Sequence, residues 1–475
     1  MRMRLCGATA VAIATTMLGA LVGAAPTAAA DTTWTTWPVD LAAGDAVGVV
    51  VDGGTARLAD EGTFAAPAAE GSPESAGAPP IPIGLLTFPA HELPDPTTRV
   101  TAQISGDAPG ATVDVRGRRA NGNWTEWVPA DATGTVELPE PTRHVQGRLV
   151  LSGPGEVDEL TLSAQPLRGA EGAPEAVEAA PLSYRVFATR EGLVGGTTAN
   201  GHVIVERDHF VALPSRRALS PKGSHDYSVK VCAPNGRCAF APVWDVGPWN
   251  TRDDYWNPPD VRQEWKDLPQ GTPEAQAAYR DGYNGGKDQF GRTVKNPAGI
   301  DLADGTFWDD LGLKDNSWVT VEYLWTGSVR LSRVASDATA AVYAAPDPAS
   351  EIVGIAAGDA GVPVHCRLVT AVGEFLQIGL NQFLDAAVVP DAGDVAPCAA
   401  VPEQVTLLAA AAPVAAMDRT PTAVPPAALD RTVVAAGDPA VDESGVTVGD
   451  VTISASGAST GESGVTIDAS GITNG

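Results

Sequence analysis

The sequence predicts an all-β protein assembled from several small β domains. Three observations carry that expectation. From Ile81 to about Leu167, RVTAQIS, ATVDVRGRR, WTEWVPA, TVELP, VQGRLVLS and VDELTLSA alternate apolar and polar residues between turn residues. This is the pattern of an antiparallel β-sandwich. In VKVCAPNGRCAFAPVWDVGPWN (Val229 to Asn250), two alternating apolar runs flank Asn235-Gly236, the strongest short-range signal for a β-hairpin. From about Val334 a third rhythm of short strands, a Pro turn and a Gly-Asp turn begins. At 475 residues the chain has room for roughly three domains of about 150 residues.

The chain opens MRMR, continues with an apolar Ala/Leu/Val run from Leu5 to Ala25, and ends that segment in APTAAAD. Residues 1–30 therefore read as a secretory signal cut after Ala30. The alternative, an uncleaved anchor, is disfavoured by the Ala-rich run and the A-x-A ending. Cys6 precedes the apolar run and cannot be a lipoprotein acceptor. No later run approaches the ~20 apolar residues of a membrane span, so a soluble exported protein is expected, with no membrane partner after signal removal.

Cys232, Cys238, Cys366 and Cys398 remain, and an even number in an exported chain points to disulfides. Local pairs are expected, Cys232 with Cys238 and Cys366 with Cys398. Zinc is the competing use of these residues, but neither region has C-x-x-C or H-x-x-x-H; no metal or other cofactor is expected. The net charge of −27 argues against nucleic acid or anionic lipid as a partner, since both rely on Lys and Arg. Solubility explains the charge, and a polysaccharide partner does not need a basic surface.

Residues 31–167 form the expected β-sandwich domain, interrupted at 66–80 by the linker APAAEGSPESAGAPP. Trp34 and Trp37 lie near its start. Trp124 and Trp127 could stack on sugar rings, although plugging the sandwich core is the favoured role. Arg116, Arg118 and Arg119 beside NGNW read as a solvated hairpin face. A second linker, 168–181, leads into a domain spanning 182–327.

In that domain GGTTANGHVI, VALPS, the Asn-Gly hairpin, VWDVGPWN and GIDLADGTF followed by LGL occur in order. This series resembles the rare-lipoprotein-A-type double-psi β-barrel, an architecture shared with expansins, family-45 endoglucanases and lytic transglycosylases with a "3D" barrel. The carrying residues are Thr198, Ala199, Asn200, Gly201, Leu213, Pro214, Asp245, Gly247, Pro248, Asp301 and Leu302. The chain departs from the family pattern at His202, where a carboxylate commonly follows TANG, and at Val246, where an Arg is usual. His209 stands one position out of register with the family histidine. A long insertion separates Asn250 from Pro297, with one predicted helix in PEAQAAYRDGY capped by Thr272 ahead of Pro273.

The resemblance implies Asp301 as an acid that protonates a glycosidic oxygen and Asp245 as its charged companion. Proton removal from water, or from the sugar's own 6-hydroxyl, would complete the cleavage. The bland alternatives are a turn-capping role for Asp245 and a helix-capping or strand-end role for Asp301. Asp309 and Asp310 read as acids in the first turn of a short helix. His202, Asn200, Trp249, Tyr255 and Trp256 are candidate substrate contacts, and His209 and His225 could assist. Seven tryptophans (Trp244, Trp249, Trp256, Trp265, Trp308, Trp318, Trp325) crowd this domain, as a sugar-stacking groove or as a cap over the barrel. Catalysis requires the two aspartates to sit about 5–10 Å apart at the rim of a shared trough. Sealed in the interior, they leave only an adhesive role.

Residues 328–400 resemble a bacterial SH3-like module through Val342, Pro346, Val353, Gly354, Gly358, Cys366, Phe375, Ile378, Phe383 and Cys398. That family implies attachment to wall peptides or glycan. Residues 401–475 are a low-complexity tail expected to be disordered, in which SGVTVGDVTISASG is loosely echoed by SGVTIDASGITNG. The sequence thus points to an exported, cell-wall-associated monomer acting on peptidoglycan or a related polysaccharide. The alternative is an expansin-like binding or loosening module without bond cleavage.

Overall fold

A computed structural model describes residues 33–59, 82–167, 179–335 and 339–399, together with the backbone of Thr466–Asp468 and Gly471–Thr473. The expected signal segment, the expected linker at 66–80 and most of that at 168–181 lie outside the described residues. So does the tail, apart from its one two-stranded antiparallel pairing. The described chain is all-β. Among these residues no helix is long and apolar enough to cross a membrane.

The N-terminal sheet comprises β1 (Thr35–Val39), β2 (Asp45–Val47), β3 (Val49–Asp52), β4 (Thr55–Leu58) and β5 (Gly84–Thr87). It continues with β6 (His91–Asp107), β7 (Ala111–Gly117), β8 (Val128–Pro129), β9 (Thr135–Leu151) and β10 (Glu156–Gln165). The pairings are antiparallel, as the alternation predicts. The long strand β9 serves two neighbourhoods. Its first half pairs with β6, Glu137 opposite Arg99, while its second half carries Leu149 between Val113 of β7 and Leu86 of β5. The inward residues of these strands, Leu86, Val100, Val113, Leu149, Leu160 and Leu162, form one core.

The middle domain is a closed barrel. Its strands are β11 (Leu182–Arg190), β12 (Val211–Leu213), β13 (Ser228–Cys232), β14 (Cys238–Val246), β15 (Ala298–Leu302) and β16 (Ser317–Tyr323). They run β12-β15-β11-β16-β13-β14 and return to β12, so no edge is left open within the ring. Two pairs are parallel, β11 with β15 and β12 with β14. The Asn-Gly hairpin forms as expected: Gly236 takes φ +87°, where a side chain would be strained, and Cys232 and Cys238 are register partners joined by a disulfide.

The insertion folds over the barrel. Its helix α1 (Glu274–Asp281) starts one residue later than the predicted cap allows: Pro273 occupies the N-cap and offers no side-chain bond. The Asp253 carboxylate instead accepts from the Glu274 N–H at 2.6 Å, taking over the role assigned to Thr272. The turn Gly305–Asp310 is a single π-helical turn, which puts Asp309 and Asp310 at its end rather than in its first turn. Asp309 pairs with Arg207, and Asp310 accepts from or donates to His209 Nδ1 at 2.9 Å.

The third unit contains β17 (Leu331–Arg333), β18 (Ala340–Tyr343), β19 (Ile352–Ala356), β20 (Gly361–Pro363), β21 (Cys366–Thr370), β22 (Gly373–Gly379) and β23 (Gln382–Asp385). Cys366 bonds Cys398. This unit is not a separate bead: β19 pairs in parallel with β14, Cys238 opposite Gly354, so one sheet runs from the barrel into it. A Cβ at Gly354 would lie 2.2 Å from the Cys238 carbonyl oxygen, which makes glycine a condition of that docking.

The sandwich is also locked to the barrel. Glu126 accepts from Trp256 Nε1 at 2.6 Å, Trp325 Nε1 at 3.0 Å and Asn257 Nδ2 at 2.7 Å. Arg217 approaches the same carboxylate at 3.3 Å and reaches Asp254 at 2.7 Å. Trp127, fully buried, belongs to the barrel's core cluster, with Arg116 and Arg148 over its ring at 4.2 and 4.3 Å. Trp124 is buried as well, so neither tryptophan is a sugar platform. Arg116 departs from the expected solvated face: it is 2% exposed, bonded to Gln146 and Asp226, because the barrel covers that hairpin.

Candidate functional site

Asp245 ends β14 and Asp301 lies in β15, and both are register partners of the same residue, Ala212 of β12. Residues in register share a face, and two interstrand spacings put their Cα atoms about 9–10 Å apart. On the other side of β15, Thr189 of β11 is the partner of Asp301, and its hydroxyl donates to the Asp301 carboxylate. Asp245 Oδ1 accepts from Ala199 N–H and from Val246 N–H, each at 2.8 Å. The TANG turn is thereby tied to the strand end.

A third carboxyl, which sequence reasoning missed, completes the group. Glu191 directly follows β11, and its N–H bonds the Leu302 carbonyl. No N–H or O–H donor among the described residues reaches either of its carboxyl oxygens, both closed to solvent. Burial first, then the charges of Asp245 and Asp301, push the Glu191 pKa well above the usual carboxyl range. Burial likewise raises Asp245 to about 6, against the pull of its hydrogen bonds. Two carboxyls held together in a dry site cannot both ionise. Glu191 therefore keeps its proton and offers it to Asp245. The only sequence signal for Glu191 was a third acid at a strand end, in REG, where a glutamate otherwise reads as solvated.

These acids are sealed, not rim-exposed: Glu191 is 2%, Asp245 2% and Asp301 6% exposed. The expected open trough between the two aspartates is thus replaced by a closed cluster beneath the Thr198–Asp208 segment. That segment carries the next polar groups. Asn200, buried, accepts through Oδ1 from the Thr198 hydroxyl at 2.7 Å and donates to the Ser220 carbonyl. His202 lies 2.7 Å from Asp208 Oδ2 through Nε2, with its ring 4.6 Å from that of Trp244. His202 is partly exposed, so it is the predicted contact best placed to meet a ligand. Burial works against a charged His209, but the hydrogen bond and charge of Asp310 outweigh it and hold its pKa above the ordinary value.

The remaining candidates belong to the core. Tyr255 and Trp256 are fully buried; the Tyr255 hydroxyl donates to the Gly299 carbonyl and accepts from Tyr323, and Trp256 stacks on Tyr323. Trp249 packs against Ala275 and Ala278 of α1 and donates to Asn296. The insertion uses its aromatics as a cap, because the barrel end beneath it would otherwise expose apolar surface. His225 sits by the third unit, its carbonyl beside Gly361. Among the tryptophans of this domain, Trp308 is the most exposed at 38%, with Arg190 and Arg207 within 5.0 Å of its ring. No group of three or more metal-ligating side chains is arranged for an ion among the described residues.

A family profile described as a domain of unknown function (DUF8814) matches residues 182–322, the span of the barrel and its insertion. A comparison with curated proteins returns no match.

Proposed function

We propose that this is an exported, cell-wall-associated protein whose barrel cleaves glycosidic bonds of peptidoglycan or a related polysaccharide by acid–base chemistry. What supports it is the gathering of three buried carboxyls, Glu191, Asp245 and Asp301, with burial holding Glu191 and Asp245 above the ordinary carboxyl range. Strongly perturbed acids gathered at one site mark a candidate place of function. In this scheme Glu191, rather than Asp301, gives its proton to the glycosidic oxygen as the C1–O bond breaks. Asp301, steadied by the Thr189 hydroxyl, takes the proton of the attacking water or of the sugar's 6-hydroxyl. The second route leaves an anhydro sugar. The Thr198–Asp208 segment must lift for substrate to enter, and its Val203 and Val205 already face solvent.

With the Thr198–Asp208 segment closed, all three acids are sealed, and by the rim criterion a closed site leaves only a wall-binding module without cleavage. Cleavage therefore depends on that segment opening, and binding alone is the second reading. Incubating the mature protein with purified sacculi and analysing soluble products by mass spectrometry separates the two. Muropeptides released by wild type and lost in Glu191→Gln and Asp301→Asn support cleavage. Retention on sacculi without release supports binding alone.

A further inference from the structure

We infer that the seam between sandwich and barrel holds a binding site for a phosphate group, built from Arg216 and Arg252 with Arg148 behind them. Arg216 opens the turn Arg216–Ala218, and its N–H bonds the Thr251 carbonyl, which sets it beside Arg252. Ser215 and Arg252 are bridge partners. From the sandwich, Arg148 Nη2 donates to the Arg216 carbonyl at 3.2 Å.

Carboxylates serve two of these three guanidiniums. Arg148 grips Asp114 at 2.6 Å, and Arg252 meets Glu264 at 3.2 Å. Arg216 has neither a hydrogen bond nor an ion pair from its side chain: its Nε is closed to solvent and bonded to nothing among the described residues. One positive charge is left uncompensated in a chain whose net charge is −27. Burial, with Arg148 and Arg252 adding to it against Asp114, lowers the Arg216 pKa to about 10. Arg216 is partly exposed, but an N–H closed to solvent and left unpaired, as its Nε is, costs free energy unless an anion completes the site. Arg252 is half-exposed and leaves a way in. Guanidinium forks arriving from two backbone segments suit a tetrahedral, multiply charged oxyanion better than a planar carboxylate, which one fork satisfies. This site is independent of the carboxylate cluster.

The test is titration of the mature protein with inorganic phosphate at constant ionic strength, followed by calorimetry and thermal melting, with sulfate and glucuronate as parallel arms. Wild type is expected to bind phosphate and to melt higher with it. Arg216→Gln should bind at least tenfold more weakly, Arg252→Gln several-fold more weakly, and Glu191→Gln like wild type. Arg216→Gln should also melt no lower than wild type without phosphate, the opposite of what a purely structural arginine would do. A silent wild-type titration, unaltered binding by Arg216→Gln, or binding of glucuronate in preference to phosphate each overturns the assignment.

Discussion

Glu191 lies against Asp245 with no donor other than its own proton. The two come from opposite sides of the barrel's connectivity: Glu191 follows β11 and Asp245 ends β14, and the intervening β15 and β12 bring the ends together. The consequence is electrostatic. One shared proton replaces two like charges in a space closed to water.

Both acids titrate higher in the folded chain than in the unfolded one, Asp245 moving from 3.8 to about 6. The folded state then binds more protons from roughly pH 4 upward, to about pH 6 for Asp245 and higher still for Glu191, and stability falls as pH rises through that window. Glu191→Gln cannot ionise and keeps a donor for Asp245. It should exceed wild type by about 1–3 kcal/mol at pH 7 and show little gain at pH 4. Urea unfolding at both pH values measures this; a variant weaker than wild type at pH 7 would exclude a shared proton.

Glu126 is the acceptor on which two indoles and an amide converge across the sandwich–barrel seam. Removing it strands the two indole N–H groups, leaves Asn257 with Asp254 alone, and leaves Asp254 as the one carboxylate on Arg217, beside the Trp127 and Val261 carbonyls. Glu126→Ala is expected to cost about 3–5 kcal/mol. Limited proteolysis should then cut between the two domains under conditions where wild type stays intact.

Trp127 fills the same seam. Trp127→Ala should lower stability by about 3–5 kcal/mol without changing retention on polysaccharide per folded molecule. A sugar platform would show the reverse, with binding lost and stability kept.

Gly354 lets β19 approach β14. With Ala there, the added Cβ meets the Cys238 carbonyl oxygen at 2.2 Å, so the pairing must shift. Hydrogen exchange of the Cys238 to Phe240 and Gly354 to Ala356 amides should accelerate in Gly354→Ala, while the Val186 to Ala188 amides on the far side of the barrel stay protected.

Much of this was legible in residues close along the chain. The Asn-Gly turn sets the hairpin register, and that register places Cys232 opposite Cys238. Alternation in ATVDVRG and VQGRLVL marked both as strands of an antiparallel fold; that they pair, as β7 with β9, came from the structure. Tyr255, Trp256 and Arg116 misled because a loop aromatic or a hairpin arginine looks solvent-facing until another domain covers it. Glu191 was missed for the same reason: nothing within a dozen residues says that a strand far along the chain will shut out its water.

Local sequence by itself determined the all-β class, the hairpin, the cysteine pairing and the two aspartates at strand ends, because turn stereochemistry and period-two patterning act between near neighbours. Only tertiary structure decided that Asp245 and Asp301 flank Ala212, that Glu191 joins them, and that all three are dry. Closure of the barrel through its two parallel pairs joins strands that no local rule connects, and desolvation depends on everything packed around a group rather than on its neighbours in the chain.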